Sequence, residues 1–166
     1  MDTLLFSKEN GVATLTLNRP QAFNSFTREM AFAVIEKLDE CAQDKNVRVI
    51  VLTGSGKAFC AGQDLKEATD DNGITFEMIL NEHYNPIIAR LRSISKPIIA
   101  AVNGVAAGAG ANIAFACDMT IAKNSASFTQ AFSMIGLVPD SGGTFFLPRL
   151  VGMQRATAMM MLSNKI

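Results

Sequence analysis

Asp140 is the sole carboxylate between Met119 and Ile166, in the run Ile135-Gly136-Leu137-Val138-Pro139-Asp140-Ser141-Gly142-Gly143-Thr144-Phe145-Phe146. Apolar surroundings disfavour the charged form and raise a carboxyl pKa, so such a group can take and return a proton near neutrality. An aspartate between proline and Ser-Gly-Gly is equally suited to capping a helix N-terminus. Residue type alone leaves both readings open.

Gly104, Gly108 and Gly110 punctuate residues 97–117, a stretch without charge between Lys96 and Asp118. G-x-x-x-G-x-G is neither a dinucleotide fingerprint nor a P-loop; Gly54-x-Gly56-Lys57 lacks the P-loop spacer, and no G-x-S-x-G elbow occurs. What remains is a strand ending at Val102, a turn, and a helix opening at Gly108-Ala109-Gly110. Small residues leave backbone N–H groups open at that end, and the helix dipole adds roughly half a positive charge there. A developing oxyanion would be stabilised at such a place. Close packing of backbone on backbone accounts for the same residues, and the sequence does not separate the two.

Cys60 abuts a second glycine-punctuated run, Gly54 to Leu65, but no histidine accompanies it to favour the thiolate, so it reads as a packing residue. His83, beside Tyr84 on an expected helix, reads as a surface or hydrogen-bonded histidine. Cys41, Cys60 and Cys117 are too few and too widely spaced for a disulfide framework or a CxxC zinc site, and one histidine excludes a histidine-built metal centre. Lys+Arg and Asp+Glu number 15 each among 166 residues, so the basic footprint of a nucleic-acid binder is missing. No basic segment leads into an apolar run at the N-terminus, and residues 97–117, rich in Ala and opened by Pro97, are too weakly apolar for a membrane span. The expectation is one soluble, reduced, cytoplasmic domain over residues 1–166.

Periodicity and turn signals give the elements that would hold these residues. Strands are expected at about 3–8 and 12–18 around Asn10-Gly11, the strongest short hairpin signal. A helix follows from about Thr27 to Ala42, with Met30, Val34, Leu38 and Cys41 on one stripe. Val47–Thr53 and Pro97–Val102 read as buried strands, Gly54–Leu65 as a loop, and polar residues 66–73 as mobile. A helix over 75–92 should kink at Pro86. Gly104 leads into a small-residue helix ending near Cys117; strands at 119–122 and 126–129 precede a loop, a short helix to Leu147 and a helix over 153–162. Met153, Met159, Met160 and Met161 read as packing positions, and only Arg149, Arg155 and Lys165 carry charge after Asp140, which suggests a surface that something covers. Strands alternating with helices mean an α/β fold.

Four blocks resemble the crotonase family, the enoyl-CoA hydratases and isomerases, in that family's order. They are Leu17-Asn18-Arg19-Pro20 with Phe23-Asn24-Ser25, Lys57-Ala58-Phe59-Cys60-Ala61-Gly62-Gln63-Asp64-Leu65, Lys96 to Gly104, and Gly136 to Thr144. Tyr84-Asn85-Pro86, Asn103 to Ala111 and Ala131-Phe132-Ser133 look most like the branch that isomerises the ring epoxide of phenylacetyl-CoA. The resemblance covers about residues 3–163. It implies a spiral of repeated ββα units, an acyl-CoA substrate and a trimer-based homo-oligomer. It also implies C-terminal helices, beyond the present sequence, that cover the acyl pocket.

By position, the resemblance puts an oxyanion hole at the backbone N–H groups of Ala61 and Ala109. Ala61, Gly62, Gln63, Asp64 and Leu65, with Ala109, would line the CoA and thioester site. The two glutamates of the family's hydratases fall on Asn112 and Phe132, neither of which can act as a base. The isomerases' proton carrier falls on Asp140. The implied reaction shifts a double bond, or opens a ring epoxide, by proton transfer through Asp140, with coenzyme A as part of the substrate and no separate cofactor. Two alternatives share the fold: a hydrolase or dehalogenase with nucleophilic Asp140, and a CoA-binding protein without catalysis.

Overall fold

The computed structural model describes residues 2–69 and 74–166. β1 (Leu4–Glu9) and β2 (Val12–Leu17) pair antiparallel from Leu4↔Leu17 to Glu9↔Val12. Asn10 and Gly11 turn the chain with φ of 52° and 83°, the two positive values of a type I′ hairpin. Ala13, Leu15 and Leu17 alternate onto the buried face of β2. α1 (Arg28–Gln43) opens at Thr27, whose hydroxyl accepts the Met30 N–H, and its buried stripe is Met30, Ala31, Val34, Leu38 and Cys41.

β3 (Val49–Gly54) and β4 (Ala58–Cys60) follow, then the short helix α2 (Leu65–Ala68). Residues 66–68 are therefore helical; residues 70–73, also expected to be mobile, lie outside the described residues. α3 (Phe76–Met78) runs through a π-helical segment, Ile79–Tyr84, into α4 (Asn85–Ser93). The Asn85 N–H donates to the Leu80 carbonyl five residues back, and Pro86, which has no N–H to donate, occupies the first turn of α4. The disruption expected at Pro86 thus takes the form of a π segment immediately before it.

β5 (Ile98–Val102), β6 (Val105–Ala107) and α5 (Ala109–Ala116) come next, then β7 (Met119–Ala122), β8 (Ser127–Thr129), a 3-10 turn at Phe132–Ile135, α6 (Gly143–Val151) and α7 (Met153–Leu162). The larger sheet has the order β1-β2-β3-β5-β7, parallel from β2 onward; the smaller has the parallel order β4-β6-β8. Each of the successive pairs β3/β4, β5/β6 and β7/β8 places one strand in each sheet. This is the spiral of ββα units that the family resemblance implies. β4 and β6 were not separable from their loops by pattern, since three residues carry no measurable alternation. The main core gathers Leu15, Phe26, Met30, Ile50, Phe59 and Ile113 among its fully buried side chains, each worth about 1.5–3 kcal/mol of apolar burial. Among the described residues no helix is long and apolar enough to cross a membrane.

Candidate active site

β4 and α5 meet because Gly110 lies directly on the β4 backbone, where a Cβ would overlap the Cys60 carbonyl. That approach brings the segment after β4 against the start of α5. Gly62, at φ 94°, lets the chain turn there, beside the Ala109 backbone nitrogen. Between them lies a cleft of about 250 Å³, its lining including Ala61, Gly62, Gln63, Gly108, Ala109 and Phe132.

Two backbone donors face this cleft, one of them not the expected one. The Ala61 N–H donates to the Phe23 carbonyl at 3.0 Å, so it is engaged within the protein. The adjacent Phe26–Gln63 parallel bridge uses the Gly62 carbonyl (2.7 Å from the Phe26 nitrogen) and the Asp64 N–H (2.9 Å to the Phe26 carbonyl). In that pattern the Gln63 N–H points away from Phe26, and it has no acceptor among the described residues. The open donor is therefore Gln63, and Ala61 is corrected to a lining residue. Ala109 is the first residue of α5, so its N–H has no intrahelical acceptor. Gly108, at φ 53°, anchors the turn before it by donating to the Thr129 carbonyl at 2.9 Å.

Asp140 lies in the turn before α6 and is partly buried. It is not the N-cap: Gly142, in the left-handed region, occupies that position. Burial pushes the Asp140 carboxyl above the ordinary carboxylate range, and the Ser141 hydroxyl, donating to it at 2.8 Å, offsets part of the rise. The Asp140 carbonyl accepts from the Gly143 N–H at 2.8 Å and from the Asn112 side-chain amide at 2.9 Å. Asn112 is three residues into α5 from Ala109, about 4.5 Å along the axis. The same short helix thus supplies the open N–H and the anchor of the turn carrying the carboxyl.

The contacts that support the loop after β4 were not legible in the sequence, and Glu67 drew no expectation there. Tyr84, buried at the end of the π segment, donates its hydroxyl to the Gln63 side-chain oxygen at 3.0 Å, while the Gln63 amide donates to Glu67 at 3.3 Å. Glu67 in turn accepts the first N–H of α1, that of Arg28. Asp64 is paired with Arg19 at 2.8 Å and caps α2 through the Lys66 N–H. Burial alone would raise the Asp64 carboxyl, but these partners hold it below the ordinary range. Asp64 therefore acts by bracing the loop. Its open side, with Arg19 and Lys66, edges a groove of about 520 Å³ that shares Ala61, Gln63 and Leu65 with the cleft.

His83 corrects another expectation: it is fully buried and neither ring nitrogen has a partner among the described residues, with Phe32 edge-on at 5.7 Å. Burial lowers its pKa and keeps it neutral near pH 7. Cys60 is the packing residue expected, its buried thiol pushed up to about 12.

A family model described as enoyl-CoA hydratase/isomerase matches residues 7–166. The chain is 47% identical to the 1,2-epoxyphenylacetyl-CoA isomerase of Escherichia coli over all of its own length and 64% of that protein's. It is 38% identical to the trans-2-decenoyl-[acyl-carrier-protein] isomerase of Streptococcus mutans, covering 98% of this chain and 63% of that one. An enoyl-CoA hydratase structure from Mycobacterium smegmatis superposes with a TM-score of 0.90 at 36% identity, covering 99% of this chain and 64% of the other. The chain thus spans about two-thirds or slightly less of the length of these relatives, whose names include both isomerases and a hydratase. Fold, family model and similarity agree: the chain belongs to the enoyl-CoA hydratase/isomerase family.

Proposed function

We propose that the chain forms the core of an acyl-CoA isomerase that moves a proton through Asp140. The observation that carries this reading is the juxtaposition on α5: the open Ala109 N–H at its start and, three residues on, the amide that holds the Asp140 turn. A thioester oxygen in the cleft would accept from the Gln63 and Ala109 N–H groups. A thioester α-proton is too weakly acidic for a carboxylate unless the enolate oxygen is stabilised as its charge develops. Losing one preorganised donor of this kind typically costs about 3–4 kcal/mol in related chemistry. Asp140 takes the proton and returns it at another carbon, which shifts the double bond. Its raised pKa suits both halves of that exchange near neutrality.

Isomerisation is favoured over hydration because the chain carries an amide at Asn112 and an apolar ring at Phe132, not a pair of carboxylates to activate water. The ring epoxide of phenylacetyl-CoA is the preferred substrate in this reading, supported by the 47% identity to the E. coli isomerase. Coenzyme A enters as part of the substrate, along the groove edged by Arg19 and Lys66. A trimer-based homo-oligomer in the cytoplasm belongs to the same proposal.

The test is solvent deuterium uptake by a 3-enoyl-CoA in heavy water, read by mass spectrometry beside Asp140→Asn. Exchange and double-bond migration are expected in the parent and should fall at least about 100-fold in the variant, the lower range for a lost proton carrier. A covalent ester trapped on Asp140 would replace this reading with the nucleophilic one. Binding without exchange in either protein would leave a CoA-binding protein.

A further inference from the structure

We infer that Asn112 and Gln130 form a positioning pair that fixes the turn carrying Asp140. Both side chains are fully buried. The Gln130 amide donates to the Asn112 oxygen at 2.8 Å, and the Asn112 amide donates to the Asp140 carbonyl at 2.9 Å. Because Gln130 takes the Asn112 oxygen, the nitrogen end of Asn112 is turned toward Asp140. The three residues come from different elements: Asn112 from α5, Gln130 from the segment leaving β8, and Asp140 from the turn before α6.

The contact is also steric. Gly143 lies so close to Asn112 that a Cβ there would overlap the amide group, so the Asp140–Gly143 turn rests on that side chain. The Gln130 oxygen has no partner among the described residues, a desolvation penalty of the kind found where function outweighs local stability. A leucine at 112 would fill the same space, but it would leave the turn unheld and the buried Gln130 amide without its acceptor. Asn112, where the resemblance implies a glutamate in the family's hydratases, holds instead the turn that carries Asp140.

The inference rests on Asp140 as proton carrier, and its test separates the two claims. Asn112→Leu removes both hydrogen bonds at nearly constant volume; Gln130→Met removes one and remains informative if the first variant fails to fold. Two readouts apply to the whole chain. The first is exchange kinetics: kcat is expected to fall about tenfold, the equivalent of one hydrogen bond, with KM within about twofold. The second is the Asp140 carboxyl titration followed by carbon-13 NMR, which needs no substrate. A loosened turn admits water, so the midpoint should move down toward the ordinary carboxylate value. Ser141, which donates to the carboxyl, and Tyr84, whose buried phenol feels its charge, are unchanged in both variants, and the phenol stays protonated throughout. A midpoint that does not move in either folded variant overturns the positioning role, whatever happens to kcat. Loss of exchange in the unsubstituted chain overturns the isomerase reading and leaves the titration to decide the pair.

Discussion

At the scale of the residue, the chemistry and the stability of Asp140 pull in opposite directions. Its carboxyl is raised above the unfolded value by burial, so between the two pKa values the native state binds more protons than the unfolded state. The stability linked to the protonated form is fully present below the unfolded pKa and is lost as pH rises through the native one. Asp140→Asn keeps the shape and carries no charge, so it should have the higher Tm at about pH 8, with the difference shrinking toward about pH 4. Asp39, held low by Arg90, and Asp64, braced by Arg19, lose stabilisation in acid, but they do so equally in both proteins and cancel in the comparison. Calorimetry at the two pH values checks this. A Tm difference independent of pH would show that the Asp140 carboxyl is not desolvated in the native state.

At the scale of the element, the site depends on how closely α5 lies on β4. Gly110→Ala would gain roughly 1 kcal/mol of helix propensity but would drive a Cβ into the Cys60 backbone carbonyl, which has no rotamer by which to yield. Overpacking costs about 1–3 kcal/mol, so the steric effect should win. The net change is a Tm lower by several degrees, since about 2–4 °C accompanies each kcal/mol at this size. Thermal unfolding measures it, and an unchanged Tm would mean that the helix shifts without penalty. The elements themselves were readable to different degrees. The Asn10-Gly11 hairpin and the Met30–Cys41 stripe follow from local chemistry, and both stand where the pattern put them. β4 and β6 were too short to show a period, and the π segment depends on where the Leu80 carbonyl finds its donor. The same limit explains the misplaced donor. Whether Ala61 or Gln63 offers a free N–H is decided by Phe23 and Phe26, which are distant in sequence, and no local pattern carries that information. Asp140 and Ala109 were singled out only through the family resemblance, because residue type left Asp140 between a base and a cap, and small residues at a helix start fit close packing equally well.

At the scale of the whole molecule, apolar surface is unevenly distributed. α6 and α7 share a small core of Leu147, Ala156 and Met159, yet α7 leaves Met153, Met161 and Leu162 at 70%, 71% and 65% exposure. Leu150 on α6 and Ile121 on the edge strand β7 are similarly open. A helix apolar on its outer face as well as its inner one is stable in water only when another surface covers it. Of the four methionines expected to pack, Met159 and Met160 do so within the chain, whereas Met153 and Met161 stay largely exposed. The proposed homo-oligomer would account for them: copies of the chain would cover these side chains and remove their apolar area from water. Light scattering should then give a discrete mass that is a multiple of 17.8 kDa, with three copies expected. Met153→Glu with Met161→Glu should lower that mass toward the monomer while the far-ultraviolet circular dichroism is retained, because neither side chain supports the internal core. A parent chain of 17.8 kDa at every concentration would refute the assembly. A parent oligomer whose mass the double variant leaves unchanged would move the contact off α7, toward the exposed edge at Met119 and Ile121.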